Sequence, residues 1–361
     1  MATGFYRPGE RAIHGAGLGA FEPWGWIALL AILVAPPAAG CGRPAAQATE
    51  RVSESRRLMG APWTITVHAA SQAAGSEAIA AAFAEVERLE RVLSDYDPES
   101  ELSRLSARAA SPEPVAVGDD LWRLLVAAEV FRERTGGAFD VAVGPLTSLW
   151  RQARRSGRLP RPEKLSAALQ AVGAGTVELN PATRSVLLPK PDTRLDPGGI
   201  GMGYAADRAL EVLAAAGIAA AMIDASGDVL VSGPPPGTPG WRIAVKPLRP
   251  GGTGETLVLA HAAVSTSGDA YQAVEIDGVR YSHIVDPRTG LGVTGPTTAT
   301  VIAPDATTAD ALATAASVLG HAAGPAVVES FSGCAARFAW REGDNDLVLA
   351  TPGWPERPRR P

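Results

Sequence analysis

A hairpin signal in the second half of the chain constrains the fold more than any other feature. Residues 273–281 alternate apolar and polar side chains around Asp277-Gly278, a preferred dipeptide of the two-residue type I′ turn. The second strand of this hairpin runs into the segment from Tyr281 to Gly290, which carries a histidine, an acid and an arginine before its final glycine. We therefore expect a strand that delivers His283 to a rigid, reactive loop.

The glycine-rich segment from Asp196 to Gly203 precedes a predicted helix over 204–216, which Gly217 ends. Glycines before a helix leave backbone N–H groups free to face a pyrophosphate, and the helix dipole favours an anion there. A Rossmann fold is not favoured, because Tyr204 stands where a small residue must allow close helix packing and Pro197 interrupts the expected buried strand. A different phosphate loop is predicted.

Periodicity elsewhere predicts a chain that mixes strands and helices. Residues 58–68 alternate as a half-exposed strand, and residues 76–93 place apolar side chains at helical spacing. A second helix is predicted from Asp119 or Asp120 to Arg134.

The tripeptide Ala138-Phe139-Asp140 follows that second helix. A ring and a carboxylate beside a helix end suit an aromatic heterocycle that carries hydroxyls or ring nitrogens. A buried phenylalanine with a capping aspartate explains the same spacing equally well, so both interpretations stay open.

Asp310 and Thr314 lie four residues apart on a helix that Thr308 is predicted to cap and that runs to Leu319, with Gly320 as its stop. A carboxylate and a hydroxyl on one helix face are hard oxygen ligands of the kind that Mg²⁺ accepts. An aspartate near a helix start is more often a cap, and that alternative stays open.

The charge balance argues against nucleic-acid binding. The formal net charge is -5, and the basic runs at 151–158 and 357–360 are short and have no interleaved aromatic residues.

The N-terminus has the pattern of an export signal. Residues 24–35 are apolar, basic residues precede them, and small residues lead to Cys41. We interpret residues 1–40 as a signal peptide with a lipobox-like end, and Cys41 as a lipidated N-terminus. Cleavage near Ala39 or an uncleaved anchor are the alternatives. Residues 41–55 would be a tether, 56–350 the catalytic domain and 351–361 a polar tail.

Taken together, the motifs resemble the ApbE family of FAD:protein FMN transferases over residues 56–350. The segments that carry the resemblance are Met59-Gly60, Asp95-Tyr96 with 100–103, 137–140, 196–207, 224–228, 265–269, 281–290 and 310–314. The resemblance implies an α+β, T-fold-related catalytic unit of two similar sheet-and-helix halves, with the nucleotide in the cleft between them.

The resemblance also implies an activity and its residues. The implied enzyme needs Mg²⁺, splits FAD and attaches FMN to a threonine or serine of a partner protein, which we expect to be a membrane electron-transport subunit. It would be an inner-membrane lipoprotein that faces the periplasm. FAD contacts are implied at Met59, Tyr96, Ala138, Phe139, Asp140, Asp196, Met202 and Ile284. Metal ligands are implied at Gly199, Asp310 and Thr314, and a proton-transfer role at His283, for which a structural bond to Asp286 is the alternative.

Two positions depart from the family pattern. Met202 stands where a lysine or glutamate is usual, and Ser226 replaces a glycine, which a serine tolerates if its φ is negative. Two other functions therefore stay open, a pyrophosphatase that releases FMN and AMP, and an exported flavin-binding module with weakened catalysis.

Overall fold

The computed structural model describes residues 49–249, 254–268, 273–295 and 297–355. The helices are α1 (Gln72–Leu93), α2 (Glu101–Ser106), α3 (Asp119–Arg134), α4 (Gly144–Ser156), α5 (Pro162–Gln170), α6 (Gly201–Ala215) and α7 (Ala306–Glu329). The strands are β1 (Glu50–Leu58), β2 (Ala61–Ala69), β3 (Val115–Ala116), β4 (Glu178–Asn180), β5 (Ser185–Leu187), β6 (Ala220–Ala225), β7 (Asp228–Val231), β8 (Trp241–Val245), β9 (Glu255–Leu259), β10 (Ala262–Gly268), β11 (Ala273–Ile276), β12 (Val279–Val285), β13 (Gly292–Thr294), β14 (Thr297–Ala303), β15 (Ala335–Glu342) and β16 (Asn345–Ala350).

The largest sheet in the described part of the chain is antiparallel throughout. Its eight strands run in the order β1-β2-β6-β7-β10-β14-β15-β16. It divides between β7 and β10 into two four-stranded halves, the first packed under α1 and α6 and the second under α7. The fold is therefore α+β, as the resemblance implied, and the parallel sheet of a Rossmann fold is absent from the described residues.

Both faces of this sheet are covered. The face under α1, α6 and α7 buries the main core, in which Trp63, Phe83 and Phe338 are at most 1% exposed. Burying one such side chain contributes on the order of 2–3 kcal/mol. The other face packs against the β8–β9 hairpin through Trp241 and Ile243.

A smaller unit stands beside the sheet and carries the reactive loop. Strands β11, β12 and β13 form it, and α4 and α5 cover it. The predicted hairpin is confirmed, since Asp277 and Gly278 have φ values of 52° and 75°, as a type I′ turn requires.

The cap of helix α7 lies three residues before the predicted Thr308. Asp305 is its cap, because one carboxylate oxygen accepts from the Thr308 N–H at 2.7 Å and the other from the Thr308 hydroxyl at 2.9 Å. Gly320 interrupts the helix with a φ of 65°, at the predicted stop. By length and composition α7 alone among the described helices could cross a membrane, but here its alanine-rich face packs into the core.

The predicted tether, residues 41–55, extends too far toward the C-terminus. Strand β1 begins at Glu50 and pairs with β2 along its whole length, so residues 50–55 belong to the folded unit. The sequence indicates this strand only weakly, because Val52 is the one buried residue between its two ends. At the other terminus, Thr351 bonds Ala336 in both directions, so the predicted tail is docked at its start. The signal peptide, Cys41, Asp269 and residues 356–361 lie outside the described residues.

Candidate active site

One cleft of about 1050 Å³ collects residues from distant parts of the chain. Strands β2, β6 and β10 of the large sheet contribute to its wall, together with α4, α7, β8, β12 and the loop before α6. All the predicted site positions except Met59 line it. They are Tyr96, Ala138, Phe139, Asp140, Asp196, Gly199, Met202, His283, Ile284, Asp310 and Thr314.

Met59 lies in the turn between β1 and β2 and does not line the cleft. Met59 and Gly60 both have positive φ values, 49° and 74°, which close a two-residue turn. The terminal methyl of Met59 lies 3.9 Å from where a Cβ on Gly201 would be, so the side chain reaches the start of α6.

Hard oxygen donors converge where α6 meets α7. Asp310 is buried and accepts from the Gly203 N–H at 3.1 Å, and Thr314 follows one helical turn later. Gly199 packs so closely that a Cβ there would lie 2.9 Å from the Thr314 hydroxyl oxygen. Ser267 of β10 places its hydroxyl oxygen 3.4 Å from the same atom.

A second carboxylate, that of the half-buried Asp228, makes two ionised carboxylates at this corner unfavourable without a cation. Burial raises the pKa of Asp310 well above its ordinary value, and the nearby Asp228 raises it further. Burial also raises the pKa of Asp228 to about 6, against the lowering effect of its hydrogen bond from Ser265. A cation would offset both effects, since it favours the ionised carboxylates.

These residues fit a hard divalent cation. Among the described residues no three His, Cys, Asp or Glu side chains cluster as a metal site, so a cation here would need hydroxyl or backbone oxygens as well. Asp310, Thr314 and the backbone of Gly199 offer that mixture, and Mg²⁺ accepts such incomplete protein shells because it keeps waters or substrate oxygens.

The glycine-rich loop differs from the expectation of free N–H groups. The N–H of Gly198 donates to Asp196, that of Gly201 to the Pro197 carbonyl and that of Gly203 to Asp310. These glycines serve close packing instead: a Cβ on Gly203 would lie 2.2 Å from the Ala306 carbonyl oxygen. The loop thus brings α6 against α7 and holds Asp310 in place.

Asp140 and Phe139 are buried and also line the cleft. The carboxylate of Asp140 accepts from the N–H groups of Ala142 at 2.8 Å and Gly173 at 2.9 Å, and so joins two loops. It is not a helix cap, because α4, the helix that follows, has no side-chain cap. Phe139 is 4% exposed and packs edge-on against Phe131, so both residues shape the wall of the cleft.

Arg151 is a cleft residue that the sequence did not reveal. It bonds Asp95 and Asp196, both at 3.1 Å, and its guanidinium lies 4.7 Å from the centre of the Tyr96 ring. Thr147 donates to the same oxygen of Asp196 at 2.7 Å. Tyr96 is 75% exposed at the rim. These partners are 45 to 56 residues away from Arg151, so no local pattern could have found them.

The reactive loop is rigid, and its acid and arginine are structural. Asp286 accepts from the backbone and the guanidinium of Arg288 at 2.9 Å, which closes the turn before Gly290. Trp150 of α4 donates its indole N–H to the Ser282 carbonyl at 2.9 Å and so fixes the strand beside His283. The loop therefore presents His283 and Ile284 to the cleft.

Ser226 does not have the negative φ that was expected of it. Its φ is 62° and that of Gly227 is 108°, because the two residues form the tight turn between β6 and β7. Asp224 closes this turn by accepting from the Gly227 N–H at 2.8 Å. The serine is therefore strained where glycine would not be.

Comparison with known proteins identifies relatives of the whole folded unit. The model of the ApbE family matches residues 59–338. The chain is 34% identical to the FAD:protein FMN transferase of Treponema pallidum over 274 residues, which cover 71% of this chain and 75% of the relative. It is 33% identical to that of Vibrio cholerae over 316 residues, covering 84% and 90%.

Solved structures show the same fold. The ApbE protein of Thermotoga maritima superposes with a TM-score of 0.75 at 32% identity, covering 84% of this chain and 97% of its own. The apo flavinyl transferase ApbE of Pseudomonas stutzeri gives a TM-score of 0.73 at 28% identity, covering 84% and 95%.

Proposed function

The chain belongs to the ApbE family, and we propose that it is a Mg²⁺-dependent FAD:protein FMN transferase. A threonine or serine hydroxyl of a partner protein attacks the FMN-side phosphorus of FAD, a pyrophosphate P–O bond breaks and AMP leaves. The product carries FMN through a phosphoester. One observation carries this proposal: Asp310, Thr314 and His283 share a single cleft with the residues expected to contact the nucleotide.

Asp310, Thr314 and the backbone oxygen of Gly199 would hold the cation. When bound, Mg²⁺ supplies charge neutralisation at the pyrophosphate. The support is the set of hard oxygens at this corner and the proximity of the Asp310 and Asp228 carboxylates, whose ionised forms a cation would stabilise.

We assign His283 the acceptance of the attacking hydroxyl's proton. Imidazole takes up and releases protons near neutral pH, and a positioned general base accelerates such steps by roughly 10²- to 10⁴-fold. The position of His283 in the cleft, on a strand fixed by Trp150, supports this role. His283→Ala should lower kcat by about that factor and leave FAD affinity unchanged. The release of AMP over time measures kcat, and an FAD titration measures the affinity. If kcat stays at the wild-type value, this role is wrong.

A three-component assay tests the function itself. The mature protein is incubated with FAD, Mg²⁺ and a peptide that contains an acceptor threonine. Covalent flavin fluorescence on the peptide, with AMP in equal amount, supports transfer. Free FMN and AMP without labelled peptide identifies a pyrophosphatase, and unchanged bound FAD identifies a binding module, the outcome that the uncharged Met202 in the cleft would explain.

We also propose that the protein is exported and anchored through a lipid on Cys41, in the inner membrane and facing the periplasm. There it would modify a membrane electron-transport subunit. The support is the apolar leader with small residues before Cys41. Labelled palmitate should enter the wild-type protein and not Cys41→Ala, and an unlabelled wild-type protein would contradict the anchor.

A further inference from the structure

The connection between α4 and α5 forms a basic surface beside the cleft. We define this basic rim as Arg154, Arg155, Arg158, Arg161 and Lys164. Arg154 is half-buried and the other four are exposed. Within the described residues none of the five is ion-paired, and Glu163 is the one acid of the segment 151–164. In a chain with a net charge of -5, such a cluster is a strong local deviation.

The basic rim reaches the cleft through one of its members. Arg154 itself lines the cleft. Helix α5 abuts the turn that follows His283, because a Cβ on Gly290 would lie 2.5 Å from the Leu165 side chain. Gly157, with a φ of 64°, turns the chain between the two helices and leaves Arg155, Arg158 and Arg161 facing solvent.

The cleft interior carries charges of both signs. Apart from Arg154, its lining includes five aspartates and three basic residues, namely Asp140, Asp196, Asp224, Asp228, Asp310, Arg151, Arg242 and Lys246. The rim carries positive charge alone, so an acidic segment of a partner would be attracted to the rim while its neutral hydroxyl residue enters the cleft. Complementary charge of this kind fixes the register of a docked chain and speeds its arrival.

We propose that the basic rim docks an acidic segment of the acceptor protein, next to the residue that receives FMN. This inference rests on the proposed transferase function for the identity of the partner. A membrane surface with anionic lipids is the competing occupant. The acceptor is favoured because Arg154 joins the rim to the cleft that the acceptor hydroxyl must enter.

The test uses two fluorescent peptides that bind the full mature protein in the presence of FAD. One has a central threonine flanked by aspartates, and the other has asparagines in their place. Each exposed ion pair is worth a factor of roughly 1.5 to 5, so the acidic peptide should bind about tenfold more tightly. Fluorescence anisotropy should show this preference shrink between about 50 mM and about 300 mM NaCl, as the charges are screened.

The variants locate the effect. The triple variant Arg155→Gln, Arg158→Gln, Arg161→Gln should lose the preference, whereas its affinity for FAD stays unchanged. The matched control Arg51→Gln, Arg91→Gln, Arg123→Gln removes the same charge from exposed arginines on β1, α1 and α3 and should keep the preference. Equal binding of the two peptides to the wild-type protein, or a preference that the rim variant retains, overturns the proposal.

Two further readouts separate this proposal from its alternatives. If vesicles of phosphatidylglycerol bind the wild-type protein, and the rim variant loses them but keeps its peptide preference, the rim is a membrane contact and the proposal is overturned. Covalent FMN on the peptides is measured in the same samples. A rim-dependent preference without any FMN transfer supports the docking surface and contradicts the transferase function, whereas transfer without preference does the reverse.

Discussion

Asp207 and Asp310 both lie where α6 crosses α7, yet their surroundings give them different roles. Asp207, on α6, accepts from the N–H groups of Ala306 and Thr307, both at 2.8 Å, and from the Thr307 hydroxyl at 2.5 Å. Asp310, on α7, accepts in return from the Gly203 N–H of α6. Each helix therefore supplies a carboxylate that accepts hydrogen bonds from the N-terminal part of the other helix.

A raised pKa is common to both residues, but their donors distinguish them. Burial raises the pKa of Asp207 to about 6 and that of Asp310 well above its ordinary value. Asp207 is satisfied by three donors in the first turn of α7, the helix that Asp305 caps. Asp310 accepts one hydrogen bond among the described residues and lines the cleft, so oxygen lone pairs remain for a cation. A shifted pKa becomes a sign of function only after the donors have been counted.

Asp310→Asn should cause the largest change in turnover. If turnover stays at the wild-type rate, Asp310 does not differ in role from Asp207. Asparagine keeps an acceptor for Gly203 but loses the charge that attracts the cation. We expect Mg²⁺-dependent AMP release from FAD to fall roughly 10²- to 10³-fold, the usual effect of removing one charge-stabilising group. Saturating Mg²⁺ should also stop raising Tm in this variant, whereas it raises Tm in the wild-type protein.

The matched variant is Asp207→Asn. It changes the same residue type at the same helix crossing, and turnover should stay within a few-fold of the wild-type rate. Equal losses of turnover in both variants would show that Asp310 also acts only through the fold.

The second-largest expected effect is on the pH dependence of stability, which should show the raised pKa of Asp207. Its folded pKa of about 6 exceeds its ordinary value of 3.8. Between these values the folded state keeps a proton that the unfolded state has released, so the free energy of unfolding falls as pH rises. The expected loss is roughly 1–3 kcal/mol, at 1.36 kcal/mol per pKa unit. Urea unfolding of metal-free protein between about pH 4 and about pH 7 measures it.

The control is again Asp207→Asn, which cannot titrate. Its stability should fall less steeply over the same pH range, even though its absolute stability is lower. If the two proteins lose stability in parallel, the slope comes from other carboxylates such as Asp228 and Asp310.

Thr314→Val and Thr307→Val each remove one hydroxyl, the first near Asp310 and the second beside Asp207, and so extend the comparison of these two aspartates. Thr314 serves the proposed cation site and Thr307 bonds Asp207. Thr314→Val should lower Mg²⁺-dependent turnover about tenfold, as outer or weak ligands do, with little change in Tm. Thr307→Val should cost about 1 kcal/mol of stability and leave turnover unchanged. The two roles are wrongly assigned if the effects are exchanged.

Local chemistry explains why parts of the fold were predictable. The turn at Asp277-Gly278 and the stop at Gly320 depend on backbone angles that few residues adopt, so the sequence alone specified them. Strand β1 was missed because it is an edge strand with polar residues along most of its length. The start of α7 was misplaced because Asp305 and Thr308 are both good capping residues and only geometry distinguishes them.

The candidate site was predictable in its motifs and not in its partners. Resemblance supplied positions such as Asp310 and His283, which the fold brings into one cleft. Arg151 and Asp207 act through residues far away in sequence, and the donors that separate Asp207 from Asp310 come from another helix. Such information exists only after the chain has folded.

Ser226→Gly should have the smallest effect, and it tests a carboxylate intermediate between Asp207 and Asp310. Asp228 follows the strained turn and accepts from the Ser265 hydroxyl at 2.6 Å and from the Thr266 N–H at 3.4 Å. Glycine adopts the φ of 62° without strain, so we expect about 0.5–1 kcal/mol of added stability in urea unfolding. If turnover is unchanged, the strain has no catalytic role and Asp228 is held by β10. If turnover falls while stability rises, the strained turn positions Asp228 for the reaction, and Asp228 has a functional role like that of Asp310.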